Sequence, residues 1–213
     1  MNFLSNLAMH NNKPWFDEHR DEYQAAKEDH VVFIGALIAE MAKIDPAMGE
    51  LKPKDCIFRI FRDVRFSKDK TPYKAHFGAA FSKSGKKFPG AGYYLHVEPG
   101  GKCFAGGGMW MPEPAVLKAV RQEIDYNFKE FEKIVGDKKF KKLFGNVEGE
   151  RLVKTPQGYA EAHPAIEYLK LKSFTVSNNM PDTDLTGKQA AKKVMEVFTA
   201  MQPFVEFLSK ATE

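Results

Sequence analysis

The chain has 213 residues, 43% of them hydrophobic and 28% charged, and a net charge of only +4. That composition supplies a packed core and excludes a disordered tail. No apolar run approaches a membrane span, and two cysteines, Cys56 and Cys103, are too few for a disulfide framework.

The opening MNFLSNLAMHNN has no cationic start and too short an apolar run for a secretory leader, so a cytoplasmic protein with no membrane partner is expected. Asn2 to His10 reads as a short helix, with Phe3, Leu4 and Leu7 on one side. Asn11 and Asn12 followed by Pro14 mark a break and a new helix start, because Asn caps and Pro fits the first turn. From Trp15 to Met41, apolar residues recur at spacings near three and four, the buried face of one long helix. Its acidic start, DEHRDE, suits the helix dipole. IDPAMGELKPKD ends it.

From Cys56 the period changes to two. Read as a continuous strand, Cys56, Phe58, Ile60, Val64 and Phe66 share one face, and Ile57, Arg59, Phe61, Asp63 and Arg65 share the other. Arg62 falls on the apolar side and needs a partner, a snorkelling path or a bulge. SKDKTPYK is a loop, since Pro72 argues against a central strand. AHFGAAFS, GYYLHVEP and KCFAGGG follow as strands joined by glycine-rich turns, an antiparallel meander. Pro112–Tyr126 and the stretch to about Val135 read as helix, with KKFKKLFG as one further turn. GERLVKTP reads as a short strand, HPAIEYLKLK as a short helix and SFTVSNN as a strand. Gly187–Lys210 closes the chain as a helix broken or kinked at Pro203. With no repeat and no linker, the expectation is a single α+β domain: a β-meander packed against a long N-terminal helix, a central helical segment and a C-terminal helix.

Four stretches carry a family resemblance: NNKPWFDEHRDEY (Asn11–Tyr23), FRIFRDVRFSKDKTPYKAHFGAAF (Phe58–Phe81), GYYLHVEPGGKCFAGGGMWMP (Gly92–Pro112) and HPAIEYLKLKSF (His163–Phe174). On these the chain resembles domain-of-unknown-function family 2461. The resemblance implies a single α+β domain found in bacteria and fungi; it brings no activity, cofactor or catalytic residue with it.

Charge points to where function lies. Residues 51–87 carry 11 Lys and Arg against 3 Asp, while residues 1–50 carry 4 against 9 Asp and Glu. A local field of one sign attracts anions even when the whole chain is nearly balanced. Arg59, Arg62 and Arg65, followed by Lys68, Lys70 and Lys74, are therefore the candidate ligand-binding residues, with Asp63 and Asp69 orienting the arginines. Guanidinium groups fork onto phosphate or carboxylate, and lysine adds a mobile point charge. The competing reading is an internal network in which Arg59 or Arg62 ties the sheet to the acidic helix.

In GYYLHVEP, alternation puts Tyr94, His96 and Glu98 on one face. His96 is the candidate general acid or base, with Glu98 setting its tautomer and Tyr94 donating to a substrate; the plainer alternative is a hydrogen-bonded structural histidine. The glycines of FAGGGMWMPEP precede a helix, where backbone amides attract anions. No phosphate-loop or dinucleotide motif accompanies them, and close strand packing is the preferred reading. His163, before Pro164, serves as a cap or surface contact. The histidines and cysteines show no H-E-x-x-H or C-x-x-C spacing, and no G-x-S-x-G is present, so no metal, cofactor or nucleophile is assigned.

The first functional expectation is binding of, or action on, a small anionic and plausibly phosphorylated ligand. Single-stranded nucleic acid comes second, on Phe61, Tyr73, Phe77, Phe81 and Phe88 lying among the cations. The third is a non-catalytic protein-interaction domain with structural arginines. Oligomeric state is open.

Overall fold

Asn12 separates the first two helices as its chemistry requires. α1 (Asn2–Met9) ends before it, and α2 (Lys13–Glu18) begins with the Asn12 side chain accepting from Trp15 N at 3.0 Å and Pro14 in the first turn. The computed structural model describes residues 1–212 of the chain.

The long helix expected from Trp15 is broken at His19. There the backbone leaves helical geometry (φ −104°, ψ 27°), and α3 (Arg20–Met41) starts afresh with Asp21 and Glu22 in its first turn. The His19 ring stacks on Trp15 at 4.1 Å, and its Nδ1 lies 2.9 Å from the Trp15 carbonyl. Asn11 reaches the backbone of Tyr73 in both directions, donating to its carbonyl at 2.9 Å and accepting from its amide at 3.1 Å. Two of the stretches that carry the family resemblance are joined by these bonds. Phe3, Leu4, Leu7, Phe16, Ile60, Tyr73 and Phe77 bury themselves together beneath them. At roughly 25 cal/mol per Å² of apolar surface, that cluster is a main stabiliser of this region.

After a single 3₁₀ segment and the short α4 (Pro53–Cys56), the expected strand does not form. Two isolated antiparallel bridges, Ile57 with Ala79 and Phe61 with Tyr73, replace it. Phe58 N donates to Gly78 O, Lys74 N to Ile60 O and Arg62 N to Pro72 O, each at 2.8–2.9 Å. Pro72 has no amide to return a bond, so the ladder stops there. Beyond it the alternation of faces lapses, and Phe66, assigned to the apolar side, is 96% exposed.

The sheet is antiparallel with order β1-β2-β3-β4: β1 (Phe77–Phe81), β2 (Gly92–Val97), β3 (Cys103–Met109) and β4 (Phe174–Met180). The first three form the expected meander. On β2, Tyr93 and Leu95 are buried while Tyr94 and His96 are half-exposed, as the alternation predicts. The glycine run of β3 is a packing device. A Cβ on Gly106 would lie 2.7 Å from the Val176 carbonyl, and one on Gly108 would meet the Phe174 carbonyl, with φ at +114°.

Between β3 and β4 lie α5 (Pro114–Tyr126), α6 (Phe128–Gly136), α7 (Lys138–Phe144) and α8 (Ile166–Leu169). Asp137 caps α7 by accepting from Lys139 N and Phe140 N, which makes KKFKKLF a two-turn helix. GERLVKTP contributes one bridge, Arg151 with Leu171, rather than a strand. α9 (Asp182–Leu185) and α10 (Ala190–Lys210), with Pro203 inside, complete the ten helices among the described residues, an α+β fold. Among the described residues, no helix is long and apolar enough to cross a membrane.

By contacts the chain resolves into two compact units. One holds residues 1–87, 94–105 and 179–195; the other holds 88–93, 106–178 and the described residues from 196 onward. The second unit has its own aromatic core, with Phe131 packed on Tyr168, Phe204 and Phe207 at ring distances of 4.9–6.2 Å.

Candidate functional site

The charged residues singled out in the sequence divide into those that close their own loop and those left over. Arg62 belongs to the first group: its guanidinium reaches the Asp69 carboxylate and the Thr71 hydroxyl, with Ser67 Oγ at 3.5 Å. Asp69 also accepts from the Thr71 amide and hydroxyl. The amide bond first, then Arg62 and the Thr71 hydroxyl, hold the Asp69 carboxyl down at about 2. Arg65 forks onto Asp63 at 2.7 and 3.0 Å, with its side chain 76% exposed. Lys70 Nζ donates to Val64 O at 2.9 Å, so this lysine also ties the loop to itself.

Arg59, Lys68 and Lys74 are the remainder. Lys68 is exposed, with no bonding partner among the described residues. Arg59 is exposed as well, and Asp63, the carboxylate that feels its charge, is already engaged by Arg65. Lys74 is half-buried with Nζ 5.6 Å over the Phe58 ring. Burial, and after it the like charge of Arg59, pushes the Lys74 ammonium below its usual pKa. Lys74 thus feels Arg59 as a like charge, and the acid on which Arg59 acts is held by Arg65.

Phe58 leads from this edge to the face of β2, its ring 6.2 Å from that of Tyr94. Gly78 on β1 makes space for the phenol, since a Cβ there would stand 2.6 Å from Tyr94 Oη. Tyr94 Oη lies 3.4 Å from His96 Nδ1, and His96 Nε2 lies 3.0 Å from Glu98 Oε2. Lys102 donates to the other carboxylate oxygen, Glu98 Oε1, at 2.9 Å. Burial would raise Glu98, but the bonds from Lys102 and His96 outweigh it and leave the carboxyl below its usual range. Phe104 stacks on the His96 ring at 4.8 Å and 12°. Tyr94, His96 and Glu98 therefore stand together, as the alternation of β2 implied.

His76 was not among the candidate residues and joins this cluster. Its ring lies 4.2 Å from that of His96, and its Nδ1 is 3.8 Å from Glu98 Oε2. Burial first, then the proximity of His96, lower its pKa to about 4, so its imidazole is neutral at pH 7. No spacing rule could have found it. Twenty positions separate His76 from His96, and only the closing of the β1–β2 hairpin brings the rings together.

The other unit has an open cleft of about 630 Å³ lined by Lys118, Arg121, Asp125 and Tyr159 among others. Its charged groups are largely committed. Arg121 donates to the Leu169 and Leu171 carbonyls, and Asp125 pairs with His163 at 2.9 Å. His163 in turn accepts from Ala165 N just ahead of α8, but the N-cap of that helix is Ala165 and has no side-chain cap bond, so the expected capping role is not met.

A family model described as "Conserved hypothetical protein (DUF2461)" matches residues 1–207. No curated protein and no solved structure matches the chain.

Proposed function

We propose, for a chain that belongs to the conserved hypothetical proteins of DUF2461, that the Arg59–Lys74 edge beside Tyr94 and His96 binds a small anionic ligand. One observation carries the reading: the half-buried Lys74 has its ammonium pushed down by burial and then by the like charge of Arg59, while Asp63, the acid on which Arg59 acts, is engaged by Arg65. A phosphate or carboxylate set between Arg59 and Lys74 supplies the missing charge, with guanidinium fork and ammonium acting as complementary donors. The adjacent Tyr94 and His96 supply groups able to move a proton on a bound molecule. Arg62, Asp63, Arg65 and Lys70 hold the loop that carries the edge, and Lys68 adds to its field.

The test is a thermal-shift panel with inorganic phosphate, nucleotides, sugar phosphates and dicarboxylates at low and moderate salt. A ligand at a hundred times its dissociation constant stabilises by about 2.7 kcal/mol, a rise of roughly 5–10 °C for a chain of this size. The rise is expected to vanish in Arg59→Ala and Lys74→Ala and to persist in Arg65→Ala. A rise untouched in Arg59→Ala and Lys74→Ala, or no rise with any anion, ends this reading.

A second reading rests on Phe66, 96% exposed with Arg65 5.8 Å from its ring. An exposed aromatic beside cations is a stacking platform for single-stranded nucleic acid. Tyr73, Phe77 and Phe81 do not contribute to it, because they are core. Adding a short oligonucleotide to the panel separates the two: binding that falls steeply with salt and is lost in Phe66→Ala favours nucleic acid.

A further inference from the structure

We infer that His76, His96 and Glu98 form a site for one divalent transition-metal ion of the zinc class, with coordination positions left open to solvent or substrate. The inference shares His96 and Tyr94 with the anion reading but does not depend on Arg59 or Lys74, so the two are separable by experiment.

Geometry is the first ground. One ligand atom from each residue lies within 4.8 Å of the others. His96 Nε2 and Glu98 Oε2 are 3.0 Å apart, and His76 Nδ1 and Glu98 Oε2 are 3.8 Å apart. Tetrahedral ligands at bond lengths near 2.0–2.1 Å stand about 3.3 Å from one another, so the two measured separations bracket the value required. The donor set is the second ground. Two imidazoles and one carboxylate suit zinc, iron(II), manganese or nickel, whereas calcium and magnesium prefer oxygen alone.

The surroundings are those of a ligand shell. The far nitrogen of His96, Nδ1, faces Tyr94 Oη at 3.4 Å, where a partner fixes ring orientation and tautomer. With an ion on Nε2, the proton resides on Nδ1 and is donated to the phenol oxygen. Lys102 holds Glu98 by Oε1 and leaves Oε2 directed at the two rings. Phe104 walls one side of His96. Side-chain exposures of 28%, 13% and 23% for His76, His96 and Glu98 leave the cluster reachable from water. His76 itself makes no hydrogen bond among the described residues, so nothing in the protein competes for its ring nitrogens. Three protein ligands with an open side are the arrangement that activates a water or polarises a carbonyl or phosphoryl oxygen.

The test is calorimetric titration of the chelator-stripped chain with zinc alone, and a visible absorption titration with cobalt(II). One equivalent of each is expected to bind, with cobalt bands showing four- or five-coordinate nitrogen–oxygen ligation. His76→Ala and His96→Ala, their fold checked by circular dichroism, should each weaken zinc at least a hundredfold, and Tyr94→Phe about tenfold. Arg65→Ala, whose fork onto Asp63 lies outside the cluster, should keep the site. Failure of the unaltered chain to bind a stoichiometric equivalent overturns the inference, as does zinc binding that survives in both histidine variants. Zinc binding intact in Arg59→Ala with phosphate binding lost would show the two sites to be separate. Phosphate binding without zinc binding sinks the metal site and spares the anion site.

Discussion

Arg62 and Arg65 sit three positions apart in the same basic loop and hold it to very different degrees. Arg65 bonds only to Asp63, in an exposed fork that solvent screens. Arg62 gathers Asp69, Thr71 and Ser67 around a mostly covered guanidinium, and removing it strands several acceptors at once. Arg65→Ala is expected to leave the melting temperature nearly unchanged. Arg62→Ala should cost about 1.5–3 kcal/mol and open residues 62–72 to limited proteolysis. His30 offers a second test at this scale. Its ring is buried against Phe77 at 4.9 Å, its Nε2 has no partner, and burial lowers its pKa to about 4. A folded pKa below the unfolded value means that the unfolded chain binds the extra proton between about pH 6.5 and 4. Stability contributed by this group is therefore full above that window and lost as pH falls through it. Between pH 7 and pH 5 the loss is about 2 kcal/mol, several degrees in melting temperature. His30→Phe, which keeps the ring and removes the titration, should flatten that limb in pH-dependent melts; equal slopes in both proteins would refute the assignment.

At the scale of elements, the capping chemistry of Asn12 and Pro14 was readable from the sequence because it acts over three or four residues. The segment Phe58–Phe66 was not. Its alternation is that of a strand, but a strand needs a partner that returns every bond, and Pro72 returns none. The loop then satisfies itself through Arg62, Asp63, Asp69 and Lys70, and the cations expected to share a face are sent to different partners. β3 shows the converse. Its glycines sit where β4 and β2 carbonyls approach within van der Waals contact, and the Gly108 backbone adopts φ +114°. Gly108→Ala combines a strained backbone with a steric clash and should destabilise by at least about 2 kcal/mol in denaturant melts. Gly136→Ala, with open space around its Cβ position, serves as the control.

For the whole molecule, the charge distribution and the two compact units set the terms. Both the proposed anion edge and the proposed metal cluster lie within the unit made of residues 1–87, 94–105 and 179–195, which three separated pieces of chain build. The sequence by itself determined the α+β class, the meander, the helix boundaries at caps and prolines, the Tyr94–His96–Glu98 face and the location of excess positive charge. These depend on periodicity and local composition, which the chain states directly. Tertiary structure alone decided which cations are spent inside the loop, which three remain, and that His76 meets His96. Those outcomes depend on pairings two to nine positions apart within the loop and twenty apart for His76 and His96, set by competition for hydrogen-bond partners and by hairpin closure, which no local pattern encodes.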